Sequence, residues 1–310
     1  MGINAVEFEV NEVTFNTILS MLVNGTAFGM VYALMAMGII LLVRAIGVLN
    51  FAQGDFFMLG AYIALGYLVD LELPLPIMIP VALLTYALIA LIFMICVYWP
   101  LREASYPAAI VIATIGTSYV IKELVQIIWG SLPRPMPPLL SNPETGGAKL
   151  LTIGTAKLSW QMIITMLVGA AAIILVFILF EKLYAGRMME AAAQDKYVAE
   201  LLGIPTIITV AATYIISITL ASIGGFLMAP MLTVNVTLGT LQLRAFAGVV
   251  IGGMGNIKGA IIGALFIGLL ESFSSVWFGA YKDAVVFSVL LLFLVFRPQG
   301  LFGTKIKDKA

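Results

Sequence analysis

The chain has 310 residues, 62% of them hydrophobic and only 10% charged, with 16 basic side chains against 16 acidic ones. Soluble domains carry about 25% charged residues, so a single water-soluble core is excluded and the solvent of this chain is largely lipid. The balanced charge leaves no basic footprint for nucleic acid. The absence of histidine removes histidine metal sites, Ser-His triads and histidine proton relays.

The N-terminus carries Glu7, Glu9 and Glu12 where a cleavable signal peptide would have a positive region. Apolar runs long enough to cross a hydrocarbon core of about 30 Å follow at roughly 15–43, 51–69, 77–99, 106–129, 161–181, 206–232, 259–278 and 283–296. The one cysteine, Cys96, falls inside the third run. A further Gly-rich run, 245–256, is too short to span comfortably and reads as a possible re-entrant or broken helix, which needs other protein around its backbone. The expected fold is an all-α polytopic bundle of 8–9 transmembrane helices in a single domain over 1–310. Five prolines between 130 and 160 (Pro133, Pro135, Pro137, Pro138 and Pro143) rule out a continuous helix there.

The positive-inside rule sets direction. Arg44, Arg102, Lys182, Arg187, Lys196, Lys258, Arg297, Lys305, Lys307 and Lys309 fall on one side if 245–256 crosses, giving nine passes with the N-terminus outside and the C-terminus cytoplasmic. The 130–160 loop is then external, although Arg134, Lys149 and Lys157 oppose that placement.

Between two spans, residues 184–205 read YAGRMMEAAAQDKYVAELLGIP. Ala, Met, Glu, Gln and Leu favour a helix. Met188, Ala192, Val198, Leu201 and Leu202 offer a broken apolar stripe, and Gly203 stands where a helix ends. Such a segment either seats on a soluble partner or lies on the headgroups as an interfacial helix; residue types alone leave both open.

Small residues four apart let helices approach closely in lipid. Gly25 and Gly29 have that spacing, as do Gly248 and Gly252, Gly255 and Gly259, and Gly259 and Gly263. A weak internal repeat relates the stretch from Gly47 to the one from Gly253, each reading as a helix that starts at the cytoplasmic face. Ionisable groups within the apolar runs are few: Asp55, Lys122, Glu123 and Glu271, each placed near a span end. No buried charge pair is expected from these positions, and that weighs against proton coupling. Uncharged polar groups are the better candidates for a solute path: Asn50 and Gln53, and Thr114, Thr117 and Ser118 on one helix face.

Several of these stretches together resemble one family. NFAQGDFFMLGAY from Asn50, GRMMEAAAQDKYVAELLGI from Gly186, GVVIGGMGNIKGAIIGALFIGLLES from Gly248 and FRPQGLFG from Phe296 occur in the expected order. They are similar to the branched-chain amino-acid (Liv-type) ATP-binding-cassette importer permeases. In that family a histidine commonly stands where this chain has Gln53, and an arginine where it has Glu190. The resemblance implies a second permease subunit, two ATPase subunits that hold ATP and magnesium, and a periplasmic or extracellular solute-binding protein, all in the inner (plasma) membrane system. This chain itself would carry no cofactor, no metal and no catalytic residue. Branched-chain amino acids would be the solute, with urea and short amides behind them.

By position, Gly186, Arg187, Glu190, Ala191, Asp195, Ala199 and Gly203 fall in the segment that couples to the ATPase. Asn50, Phe51, Gly54 and Gly60 fall in the second-span signature. The chain has no G-x-x-x-x-G-K-[ST] loop, so ATP hydrolysis would belong to another polypeptide. Two other readings stand beside this one. An ion-coupled secondary transporter would also use broken helices. A membrane enzyme would need a clustered nucleophile and base.

Overall fold

The computed structural model describes residues 15–102, 106, 108–140, 147–153, 156–194 and 196–303. Glu7, Glu9, Glu12, Pro143, Asp195, Lys305, Lys307 and Lys309 lie outside them. Six helices among the described residues are long and apolar enough to cross a membrane: Asn16–Ile46, Leu75–Leu101, Ala108–Trp129, Trp160–Lys182, Thr206–Met228 and Ile257–Phe296. Among the described residues the protein is thus an all-α membrane protein apart from one small pair of β-strands.

In chain order, α1 is Phe15–Ile46 and α2 is Gln53–Leu65, extended by a π-type turn over Gly66–Asp70. Then come α3, Leu75–Phe93, and α4, Ala108–Trp129. The proline-rich connection holds the pair, antiparallel strands β1 Leu150–Ile153 and β2 Ala156–Ser159. Next are α5, Trp160–Lys182, the surface helices α6, Tyr184–Gln194, and α7, Lys196–Leu201, and α8, Thr206–Met228. The short α9, Gln242–Gly252, precedes α10, Ile257–Phe278, and α11, Lys282–Phe296. The last run is a single 40-residue apolar stretch, but Gly279 turns the chain at φ 46° and splits it into α10 and α11.

A helix that is apolar on all sides belongs in the interior, and α1 is that helix. Its residues from Val31 to Leu42 are buried almost without interruption. Glycine makes this possible. A Cβ on Gly25 would stand 2.8 Å from Leu269 Cα, one on Gly29 would stand 2.9 Å from Leu265 Cα, and one on Gly268 would overlap the backbone of Gly29. The same closeness joins α9 to α10, where Gly248 meets Ala264, Gly252 meets Gly259, and Gly263 meets Gly248. Gly255 differs from the spacing argument. It takes φ 112° in the turn between α9 and α10, with no atom within 4 Å of a Cβ position, so it serves the turn and not a helix contact.

Two segments begin inside the bundle. Gln53, at the start of α2, packs on Gly38 of α1 and on Ser217 of α8. At 1.5 Å per residue those positions lie about 12 Å from the end of α1 and about 16 Å from the start of α8. So α2 starts near mid-depth, and 47–52 descends to it without helix. Past α8 the chain pairs at Val234 with Arg134 at the other end of the bundle. It then returns to mid-depth, where the 3-10 turn Leu238–Leu241 lies against Gly54 and leads into α9. The repeat expected between the Gly47 and Gly253 stretches therefore has no equivalent geometry. α2 starts at mid-depth, whereas α10 starts at the bundle end, capped by Asn256 Oδ1 accepting from Gly259 N at 3.2 Å. What α2 does meet, N-terminus to N-terminus, is α9.

Gly268→Val is expected to break the seam between α1 and α10 and to lower the melting temperature of the purified protein in detergent by several degrees. Gly116→Ala, which has open space around it, is expected to leave stability unchanged or to raise it by up to about 1 kcal/mol through helix propensity.

Candidate functional site

Non-helical backbone inside a bilayer is tolerated only where protein or a cavity satisfies it. At the junction of α2 and α9 the satisfying groups can be named. Gln242, the first residue of α9, accepts from Gly54 N through Oε1 at 2.6 Å and donates from Nε2 to Asn50 O at 3.1 Å. Asn50 Oδ1 accepts from Ala52 N at 3.0 Å, and Thr114 Oγ1 of α4 accepts from Phe51 N at 3.1 Å. The close approach requires glycine on both sides. A Cβ on Gly54 would overlap Gly239 O, and one on Gly239 would stand 2.9 Å from Asp55 Oδ1.

Beside this junction is a cavity of about 230 Å³. Its polar lining is Asn50, Asp55, Ser118, Lys122, Thr240 and Gln242; Ile39, Leu49, Phe51, Leu243 and Phe246 supply the apolar side. Lys122 Nζ lies 3.5 Å from Asp55 Oδ1, and only 5% of the Asp55 side chain is exposed. Asp55 sits in the first turn of α2, where the helix dipole favours an anion. The sequence placed Asp55 and Lys122 at the two ends of different spans. They meet because α2 starts at mid-depth.

A second charged cluster holds the other side of α9. Tyr32 Oη donates to Glu271 Oε2 at 2.6 Å, and Lys282 Nζ donates to Glu271 Oε1 at 3.1 Å. Arg244 approaches Glu271 at 3.4 Å and donates to Asp283 Oδ1 at 2.5 Å. Two carboxylates and two cations balance. The expectation of no buried charge pair is therefore wrong, for a tertiary reason: Arg244, which pairs with the buried Glu271, comes from the broken helix, which local sequence does not place at depth.

Of the five polar path candidates, Asn50 and Ser118 line the cavity. Gln53 is fully buried and ties three helices, with Nε2 donating to Ser217 O at 3.0 Å and to Ser217 Oγ at 3.1 Å while Ser217 Oγ donates to Gly38 O at 2.8 Å. Thr114 holds the loop before α2, and Thr117 bonds back to Ala113 O within α4. Gln242, Gly239 and Arg244 escaped sequence reasoning. Only the short length of the 245–256 run hinted at them.

At the bundle end that carries Arg44, Glu181 and Asn256, α6 and α7 lie outside the long helices. Gly186 makes the corner, since a Cβ there would strike the Leu179 and Phe180 carbonyls. Glu190 pairs with Arg44, in the last turn of α1. Ala199 and Met189 turn inward, Arg187 is exposed and Ala191 is half-buried. Gly203, at φ 79°, ends α7, and its N–H donates to Glu200 O at 3.0 Å. Tyr197, Val198, Leu201 and Leu202 are exposed on the surface. At the same end Leu301 N donates to Ile251 O at 2.8 Å and Phe302 N to Gly252 O at 3.0 Å, so the closing FRPQGLFG stretch caps the carbonyls of α9.

Residues 21–295 match the family described as branched-chain amino acid transport system / permease component. The chain belongs to that family. Within these permeases it is 31% identical over 302 residues to the high-affinity branched-chain amino acid transport system permease protein BraD of Pseudomonas aeruginosa, covering 94% of this chain and 97% of that one. It is 30% identical over 303 residues to LivH of Escherichia coli K12, with the same coverages. A probable LivH of Methanocaldococcus jannaschii is 25% identical over 292 residues, covering 88% of this chain and 89% of that one. In this chain the stretch from Asn50 to Gly60 supplies the α2 side of the mid-depth junction. Gly60 makes a similar backbone approach to Ser222 of α8, where a Cβ would stand 2.4 Å from Ser222 O.

Gln242→Leu would leave Gly54 N–H and Asn50 C=O without partners at about 1–3 kcal/mol each. It is expected to lower both the melting temperature and solute uptake, whereas Gln242→Glu, which keeps the acceptor for Gly54 N–H, should lose less of the first.

Proposed function

We propose that this chain is a permease subunit of an ATP-binding-cassette importer, forming with a second permease the path for branched-chain amino acids. Two separate ATPase subunits hold ATP and magnesium, and a solute-binding protein delivers the solute. The character of the family and the names of its relatives support transport of branched-chain amino acids. The observation that carries the mechanical part is the exposed apolar ridge Tyr197, Val198, Leu201 and Leu202, outside the long helices and fixed to α1 through Glu190 and Arg44.

In this reading the end bearing Arg44, Arg187, Lys258 and Arg297 faces the cytoplasm by the positive-inside rule. The passes are α1, α2 with its descending lead, α3, α4, α5, α8, the broken segment 229–252, α10 and α11. That makes nine, with the N-terminus outside. An ATPase seated on α6 and α7 then moves α1 through the Arg44–Glu190 pair. Because α1 also supplies Ile39 to the cavity wall, one rigid helix reaches both places. Family membership gives the ion-coupled alternative no support.

Ala193→Pro breaks α6 and should abolish ATP-driven uptake while the protein remains in the membrane; normal uptake by that variant would count against coupling through this segment. Glu190→Arg puts like charges together and should slow uptake a few-fold, and the reversed pair Arg44→Glu with Glu190→Arg should restore most of it.

A further inference from the structure

We infer that Asp55 and Lys122 form the charge-recognition pair of a solute-binding site inside the permease, and that its ligand is a zwitterion with an apolar side chain. This rests on the importer reading and names the residues that meet the solute in this chain.

The cavity's polar groups include one anion and one cation at 3.5 Å, and the remaining wall is largely apolar. Its volume of about 230 Å³ is below the ~300 Å³ at which drug-sized pockets begin, so it suits a small solute. Asp55 is 3% exposed, and its buried Oδ1 makes no hydrogen bond closer than the 3.5 Å ion-pair contact with Lys122 Nζ. A buried carboxylate oxygen in that condition is costly unless something fills the role. The pair's Lys122 is more exposed, at 36% of its side chain, and can swing aside.

An α-amino acid brings the matching charges. Its ammonium takes Asp55 Oδ1 at the first turn of α2. Its carboxylate takes Lys122 of α4, the opposite member of the pair. Its side chain lies against Leu49, Phe246 and Leu243. One ion pair is exchanged for two, and no charge is left uncompensated. A lone cation would leave Lys122 unpaired and a lone anion would leave Asp55 so. Urea and short amides, having no charge, gain nothing from the pair. Gly239 keeps the space open, because any side chain there would press on Asp55 Oδ1.

The test is radioligand binding to the purified permease–ATPase complex without its solute-binding protein, using leucine, leucinamide (ammonium only) and 4-methylpentanoate (carboxylate only) as competitors. The wild-type complex should prefer leucine to either analogue. Lys122→Gln should cut the preference for leucine over leucinamide at least tenfold, and Asp55→Asn should cut the preference over 4-methylpentanoate by as much. These ratios do not depend on the folded fraction of the preparation. Absence of saturable leucine binding in the wild type, or equal weakening for all three solutes in both variants, would overturn the proposal. ATP-driven uptake by the same wild-type complex with the solute-binding protein restored tells that failure apart from failure of the importer reading.

Discussion

Hydrocarbon offers no hydrogen bonds, so every peptide group that leaves helical geometry inside the bundle must find a protein partner. Among the described residues this chain leaves helical geometry at mid-depth before α2 and before α9, and most of the local architecture comes from covering those two breaks. Gln242 spans them with one donor and one acceptor. Asn50 and Thr114 serve the remaining amides of the descending segment. Glycine at 54 and 239 brings the two backbones together. The far end of α9 is finished by residues from the closing segment of the chain. The result is a rigid seam with a small cavity beside it, in place of two continuous spans.

The charges have the same origin. A short helix that begins inside the bundle presents its positive end there, and acidic side chains become tolerable nearby. Asp55 sits in the first turn of α2, and Glu271 balances Arg244, the third residue of α9. Ionisable groups at this depth cost roughly 2.5–3.5 kcal/mol each on insertion scales, yet in both clusters each is matched by an opposite partner. The two clusters lie on opposite sides of α9. One closes on itself through Tyr32 and Lys282. The other faces a cavity.

Much of this was legible in the residue string. Composition fixed the solvent, the long apolar runs corresponded to α1, α3, α4, α5 and α8, and glycine spacing pointed to the contacts of α1 with α10 and of α9 with α10. Gly203 was placed correctly as a helix end because a positive φ has a residue signature. The polar path candidates fared unevenly. Gln53 and Thr114 turned out to be bonded to neighbouring backbone, and only a three-dimensional partner distinguishes such a group from one that faces a cavity. The stripe expected on the surface segment also shifted: Met189 and Ala199 turn inward, and Val198, Leu201 and Leu202 stay exposed, because packing against α1 and α8 sets which face of α6 and α7 is covered.

The sequence by itself determined that the chain lives in lipid, which family its motifs resemble, and where its helices can touch. These are consequences of residue type and of spacing along one helix. Depth is different, because it depends on where a helix starts relative to its neighbours and no local pattern encodes that. Only the tertiary structure decided that α2 and α9 begin half-way through the bundle, and so that Asp55 and Lys122, from separate helices, stand 3.5 Å apart.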